Sequence, residues 1–232
     1  MRPAPAKAFD AYEASYRDAV QDSVAFSGLS FDYFLRSKAH LLRTLRSERL
    51  PDAPFPRVLD VGCGVGALHP LLLPHCAELH GVDLSAACIE RARKDHPGAA
   101  YQAYDGAHLP FAEGHFDLAF AACVLHHVEP AGWTGFAREM KRVVRPGGMV
   151  CLIEHNPLNP ATRLSVLRCP FDEDAVLLRR PQAEAILRGA GLEDVGSRFF
   201  VCVPSLEPWA LWLERKLAQT PVGAQYAAYG RA

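Results

Sequence analysis

No Cys-x-x-C pair occurs among the seven cysteines, Cys63, Cys76, Cys88, Cys123, Cys151, Cys169 and Cys202. Zinc-finger spacing is therefore absent, no metal site is expected, and an odd count in a chain of 232 residues does not read as a disulfide framework. Reduced thiols acting as small hydrophobes, and a cytoplasmic location, are the expectation. No run approaches the ~18 consecutive apolar residues of a membrane-spanning helix, so no membrane span is expected. Met1 to Asp10 lacks the apolar core of a secretory leader. An excess of one charge is missing too: 25 Lys+Arg stand against 26 Asp+Glu, a formal net charge of -1. That balance offers nothing to a polyanion, and no nucleic-acid partner is expected. The one modest basic cluster, Arg36, Lys38, Arg43, Arg46 and Arg49, reads as a solvated helix face. Repeats and low-complexity stretches are also absent.

What remains is an apolar half of the chain, enough for the core of one α/β domain with room for a cover. The first fifty residues read as helical. Phe9, Tyr12, Tyr16, Val20 and Val24 recur at helical spacing, Ser27 to Ser30 break the pattern, and a second helix is predicted over Phe31 to Leu50, ended by Pro51, Pro54 and Pro56. From Arg57 strands and helices alternate. Strands are predicted at Arg57–Val61, Glu78–Val82, Ala100–Tyr104, Phe116–Cys123, Met149–Glu154, Val195–Val203 and Gln225–Gly230. Helices are predicted at Leu68–Leu73, Ser85–Asp95 with Ser85 as N-cap, Trp133–Val144, Pro181–Gly191 and Pro208–Leu217. This order implies a mostly parallel, seven-stranded sheet flanked by helices, with residues 1–54 as an N-terminal helical lid on a domain over 55–232. Residues 155–180, with Pro157, Pro160 and Cys169-Pro170-Phe171-Asp172, read as an irregular substrate-cover loop. Its prolines reduce the entropy lost when it orders. Arg163, Arg168, Arg179 and Arg180 beside it read as solvated surface or as an attraction for an anionic substrate. Phe199, Phe200, Trp209 and Trp212 read as core or as a dimer contact, and monomer and homodimer both stay open.

The chemistry-bearing motif is Val58-Leu59-Asp60-Val61-Gly62-Cys63-Gly64-Val65-Gly66, a buried strand running into a glycine turn that opens a helix. Glycine lets the chain reverse and lets a ligand approach bare backbone. The helix start offers N–H groups to an anion. About twenty residues on, Gly81-Val82-Asp83 ends the second strand with a carboxylate suited to both hydroxyls of a ribose. So far the pattern equally fits a dinucleotide fingerprint, with Ala67 in the last glycine position.

Further stretches separate the two readings. Tyr104-Asp105-Gly106 ends the third strand, and Leu109-Pro110-Phe111 precedes Gly114-His115-Phe116-Asp117. Cys123-Val124-Leu125-His126-His127-Val128 follows the fourth strand, and Arg145-Pro146-Gly147-Gly148-Met149 enters the fifth. In this order they resemble a class I S-adenosylmethionine-dependent methyltransferase of the type 11 small-molecule group, over roughly Phe55 to Glu154. The resemblance implies a Rossmann-like fold, the cofactor S-adenosyl-L-methionine and a small-molecule acceptor, a natural-product, sugar or lipid intermediate. It also implies site roles. Asp60, Gly62, Cys63, Gly64 and Gly66 would hold the methionine portion, and Asp83 the ribose. Leu84 would pack on adenine, with Asp105, Gly106 and Ala107 at its amino edge. Ala122 and Cys123 would line the wall near the sulfonium, and Tyr16, with Tyr12, matches a lid position.

Methyl transfer needs a base only when the acceptor must lose a proton. Two groups fall at the carboxyl ends of central strands, His126-His127 and Glu154-His155, and these are the catalytic candidates. The histidine pair also fits an ordinary loop. An NAD-dependent oxidoreductase, a non-catalytic S-adenosylmethionine-binding protein and a cyclase on the same fold are the competing functions. The oxidoreductase leaves Asp105, Phe116-Asp117 and the Pro-Gly-Gly entry without a purpose.

Overall fold

Strand β1 (Arg57–Val61) shows how the sheet divides its two faces. Leu59 and Val61 belong to one apolar cluster and Val58 to the other, as the two-residue period of a strand requires. The same split recurs in β4 (Phe116–Ala122), where Ala119 and Ala121 oppose Leu118 and Phe120, and in β5 (Val144–His155), where Val150 and Leu152 oppose Cys151 and Ile153. Both faces are buried, so the central strands read as continuous apolar runs. The computed structural model describes residues 16–53 and 56–232, without the side chain of Tyr16.

With β2 (Glu78–Asp83), β3 (Ala100–Ala103), β6 (Glu193–Phe200) and β7 (Gln225–Arg231), the strands form one seven-stranded sheet in the order β3-β2-β1-β4-β5-β7-β6. Strand β7 pairs antiparallel with both β5 and β6, and the remaining pairs are parallel. This is the mostly parallel, seven-stranded sheet flanked by helices that the alternation implied. Helices α1 (Tyr16–Val24) and α2 (Phe31–Arg49) precede the sheet, and α3 (His69–Leu72) and α4 (Ala86–Asp95) follow β1 and β2. Later come α5 (Trp133–Val143), α6 (Pro160–Arg168), α7 (Arg180–Gly189) and α8 (Pro208–Leu217). Ser85 caps α4 by accepting from the Cys88 N–H, as read from the sequence.

Helix α2 is a full layer of the fold. Leu35, Leu41, Leu42 and Leu45 pack on Val58, Phe120 and Ile153, and Leu45 is completely buried. Burying a leucine contributes about 1.5–3 kcal/mol, so α2 is anchored to the sheet. Helix α1 lies instead beside α6, where the Ser165 hydroxyl donates to the Ser23 carbonyl.

Three expectations are corrected. Residues 155–180 are not irregular throughout: Asn159 caps α6 by accepting from the Thr162 N–H, and Pro160 occupies the first turn. The Asn-Pro step that reads as a break is a helix start. Arg145 to Gly148 lie within β5, with a register shift opposite Phe116 and Leu118. Lys38 is not on the solvated face with Arg36 and Arg43; it lines the central cavity. Phe199 and Phe200 are core, but Trp209 and Trp212 are exposed, at 61% and 54%. None of the seven cysteines is joined in a disulfide. Among the described residues no helix is long and apolar enough to cross a membrane.

Candidate active site

A cavity of about 490 Å³ opens at the carboxyl ends of the parallel strands. This is where open α/β sheets bind ligands, because the turns after the strands diverge there. Asp60 lies near the end of β1 and Gly62 to Val65 follow it, Asp83 ends β2 and Leu84 follows it, and Tyr104 and Gly106 follow β3. Ala122 ends β4, Cys123, Val124 and His126 to Glu129 follow it, and His155 ends β5. Val20, Val24, Phe31, Phe34 and Leu35 of the N-terminal helices form an apolar wall, and Thr162, Ser165 and Val166 of α6 complete it.

At one end two carboxylates frame the glycine turn. Asp60 lies on the β1 face shared with α3, and its Oδ2 stands 3.1 Å from His69 Nε2. His69 Nδ1 in turn lies 2.6 Å from the Tyr101 hydroxyl, whose ring stacks on the imidazole. This chain fixes the orientation of Asp60 and leaves its other oxygen, Oδ1, buried with no hydrogen-bond partner. A buried carboxylate oxygen left unpaired is costly. It is an acceptor left without a donor on a residue that lines the cavity. Asp83 Oδ2 accepts from the Gly64 N–H at 2.8 Å and Oδ1 from the Ser85 N–H at 2.9 Å. Burial raises the Asp83 carboxyl above its ordinary range, against those two N–H groups. Gly62 has φ 80°, and a Cβ there would fall 2.5 Å from Val124, so two strand-end turns meet at bare backbone. Gly64, at φ 52°, faces open space: a Cβ there meets nothing within 4 Å.

The other end is a histidine cluster. Glu154 and His155 follow each other on β5 and so face opposite sides of the sheet. Glu154 is 1% exposed. Its Oε1 accepts from the Val124 and Leu125 N–H groups, at 3.2 and 2.8 Å, and its Oε2 lies 2.6 Å from His126 Nδ1. The far ring nitrogen, His126 Nε2, lies 3.4 Å from Asp172 Oδ1, and His127 Nε2 lies 3.4 Å from the same oxygen. Burial works against charge on His126, but Glu154 and Asp172 outweigh it and hold its pKa well above the imidazole range. Burial and then the neighbouring His126 cation press His127 down to about 4. Burial opposes ionisation of Asp172, but the histidines bring it down to about 2. Beside them Cys123 adopts a left-handed φ of 61° and donates its N–H to the Ile153 carbonyl. Burial alone would raise its thiol, but Lys38 and His155 pull it to about 7. Strain of about 1–3 kcal/mol at such a residue persists only where the surroundings impose it.

Residues 59–152 match the family model described as a methyltransferase domain. Over that stretch the chain is similar to the methyltransferase-domain family. An uncharacterized methyltransferase of Synechocystis sp. is 35% identical over 113 residues, 48% of this chain and 53% of that protein. The phthiotriol/phenolphthiotriol dimycocerosates methyltransferase of Mycobacterium tuberculosis is 30% identical over 171 residues, 71% of this chain and 62% of that protein. A crystal structure described as a SAM dependent methyltransferase from Archaeoglobus fulgidus has the same fold, with TM-score 0.63 at 16% identity, covering 87% of this chain and 98% of that one. The chain spans about half the length of the first curated relatives it matches.

Twelve of the residues singled out from sequence line the cavity together: Asp60, Gly62, Cys63, Gly64, Asp83, Leu84, Gly106, Ala122, Cys123, His126, His127 and His155. Four do not. Gly66 makes room for Tyr101, whose hydroxyl would lie 2.8 Å from a Cβ there. Asp105 is 64% exposed, and its Oδ1 accepts from the Ala107 and His108 N–H groups, so Asp105 and Ala107 brace the loop from outside. Glu154 sits beneath the cavity and acts on His126. The expectation for Tyr12 and for the side chain of Tyr16 lies outside the described residues. Sequence reasoning passed over His69, Lys38 and Gln225, and left Asp172 without a role. Asp172 alone carried a signal, the compact Cys169-Pro170-Phe171-Asp172 turn.

Proposed function

We propose that this chain is an S-adenosylmethionine-dependent methyltransferase whose acceptor is a small molecule presenting a hydroxyl to the histidine end of the cavity. The unpaired, buried Oδ1 of Asp60 carries the reading. An amino-acid ammonium or a sulfonium supplies the positive charge that this oxygen lacks, and a carboxylate favours such a cation strongly away from water. The residues present fit the rest of the cofactor as well. Asp83 retains acceptor capacity for ribose hydroxyls beyond its bonds to Gly64 and Ser85. Leu84, Tyr104 and Gly106 form a flat wall suited to adenine, and Asp105 acts on it by holding the 105–108 loop. The open space at Gly64 admits a ligand against backbone. When bound, S-adenosylmethionine supplies a methyl carbon already activated for displacement.

The protein's task is then positioning and proton removal. Glu154 fixes the His126 ring through Nδ1, and Asp172 fixes His126 and His127 from the cavity side. His127 is the imidazole placed to take the acceptor's proton. The N-terminal α1 and the helix α6 act as a cover that excludes water from this exchange.

The test starts from a screen of hydroxylated sugars, phenols and lipid alcohols, read as S-adenosylhomocysteine release. With the acceptor found, His127→Ala is expected to lower the single-turnover rate about 10²- to 10⁴-fold, the usual contribution of a general base. Affinity for S-adenosylhomocysteine should change little. An undiminished rate would remove His127 from the proton path.

A further inference from the structure

Three metal-ligating side chains converge on one point of the cavity wall from three separate parts of the chain. His126 comes from the turn after β4, His155 from the end of β5, and Asp172 from the 169–172 turn. One donor atom of each lies within 4.8 Å of the other two. All three line the cavity. From this juxtaposition we infer that His126, His155 and Asp172 form a binding site for a divalent transition-metal ion, open on the cavity side.

The donor set is two imidazoles and one carboxylate. Imidazole suits zinc and its neighbours, whereas magnesium and calcium prefer all-oxygen sites. One edge of the donor triangle has the spacing such an ion needs. Bonds of about 2.0–2.1 Å to a tetrahedral centre place neighbouring donors about 3.3 Å apart. His126 Nε2 and Asp172 Oδ1 are 3.4 Å apart, long for a hydrogen bond and close to that edge. Nδ1 of His126 lies 2.6 Å from Glu154 Oε2, which orients the ring, and an ion at Nε2 would take the place of the proton shared there with Asp172. Glu154 is itself held by two backbone N–H groups.

The backbone holds the third ligand in place too. The Asp172 N–H donates to the Cys169 carbonyl, and the Val176 N–H donates to the His126 carbonyl, tying the 172–176 segment to the histidine turn. The two carboxylates, Asp172 and Glu154, give the site the negative charge a dication needs. Three protein ligands with an open fourth position is the arrangement of a catalytic metal, in which a water or substrate oxygen completes the shell. On the methyl-transfer reading, on which this role rests, that oxygen is the acceptor hydroxyl. An ion held there would polarise that oxygen and make its proton easier to lose.

Untagged protein stripped with chelator and dialysed is titrated with Zn²⁺ and with Co²⁺. The expected result is one tightly bound ion per chain and, for Co²⁺, a visible absorption of tetrahedral intensity. Asp172→Asn and His155→Ala should each weaken binding at least tenfold. Another group, Glu78, His80 and His115, stands at the surface with the same donor types. His115→Ala should leave the tight ion untouched. Absence of stoichiometric binding at micromolar metal overturns the site, as does loss of the ion on His115→Ala. If a ligand variant fails to fold, anomalous diffraction at the zinc edge on wild-type crystals decides where the ion sits. Calorimetry with S-adenosylhomocysteine runs on the same samples. Cofactor binding without metal binding retires this site alone, and metal binding without cofactor binding retires the methyl-transfer reading alone.

Discussion

Glu154→Ala is expected to destabilise the fold by about 3–5 kcal/mol, the usual cost of removing one partner from a buried ion pair. In a chain of this length that corresponds to a fall of about 6–20 °C in melting temperature. Three losses add up at this one carboxylate. The Val124 and Leu125 N–H groups lose their acceptor, and the buried His126 loses the partner at Nδ1. His126 is 1% exposed, so water does not replace that partner. Its proton then becomes a liability, because burial alone disfavours the charged ring. Glu154→Gln should recover part of the loss, since one amide oxygen still accepts from backbone. Thermal unfolding of both variants measures the difference. A melting temperature within about 2 °C of wild type for the alanine variant would show that the carboxylate is not the keystone of the β4 turn.

Asp83→Ala should weaken S-adenosylhomocysteine binding by about 1.5–3 kcal/mol, the range for a hydrogen bond to a charged group. That is roughly a 10- to 150-fold rise in Kd. Two effects act together. The ribose loses its acceptor, and the Gly64 N–H loses the bond that sets the glycine turn in position. The second effect separates Asp83→Asn from Asp83→Ala: the asparagine oxygen still accepts from one N–H and should retain part of the affinity. Calorimetry reads both. An unchanged Kd in a folded alanine variant would place the ribose elsewhere.

The parts of the fold legible from the sequence are those that repeat locally. Strand alternation at Val58 to Val61 and the N-cap at Ser85 depend on neighbours within a few residues, and both appear where expected. The end of the cavity at Asp60 was legible for the same reason, because Asp60 and the glycine turn are one continuous motif. The histidine end was only half legible. His126 and His155 announce themselves by following strands, but Asp172 meets His126 across 46 positions, a pairing no local period encodes. Lys38 belongs to a helix whose charged residues mostly face water, and spacing alone does not mark the one that turns toward Cys123. Asp105 failed in the opposite way: its motif is clear, but local N–H groups of Ala107 and His108 claim its carboxylate. His69 carries no local signal, because its importance lies in linking Tyr101 to Asp60.

The measurement that bears most directly on the account is a crystal structure of the wild-type chain grown with S-adenosylhomocysteine. The account predicts the ligand's ammonium on Asp60 Oδ1, its ribose on Asp83 and its sulfur toward the His126–His127 end. Density for the ligand away from Asp60, or preferential occupation of the same crevice by a nicotinamide nucleotide, would contradict it.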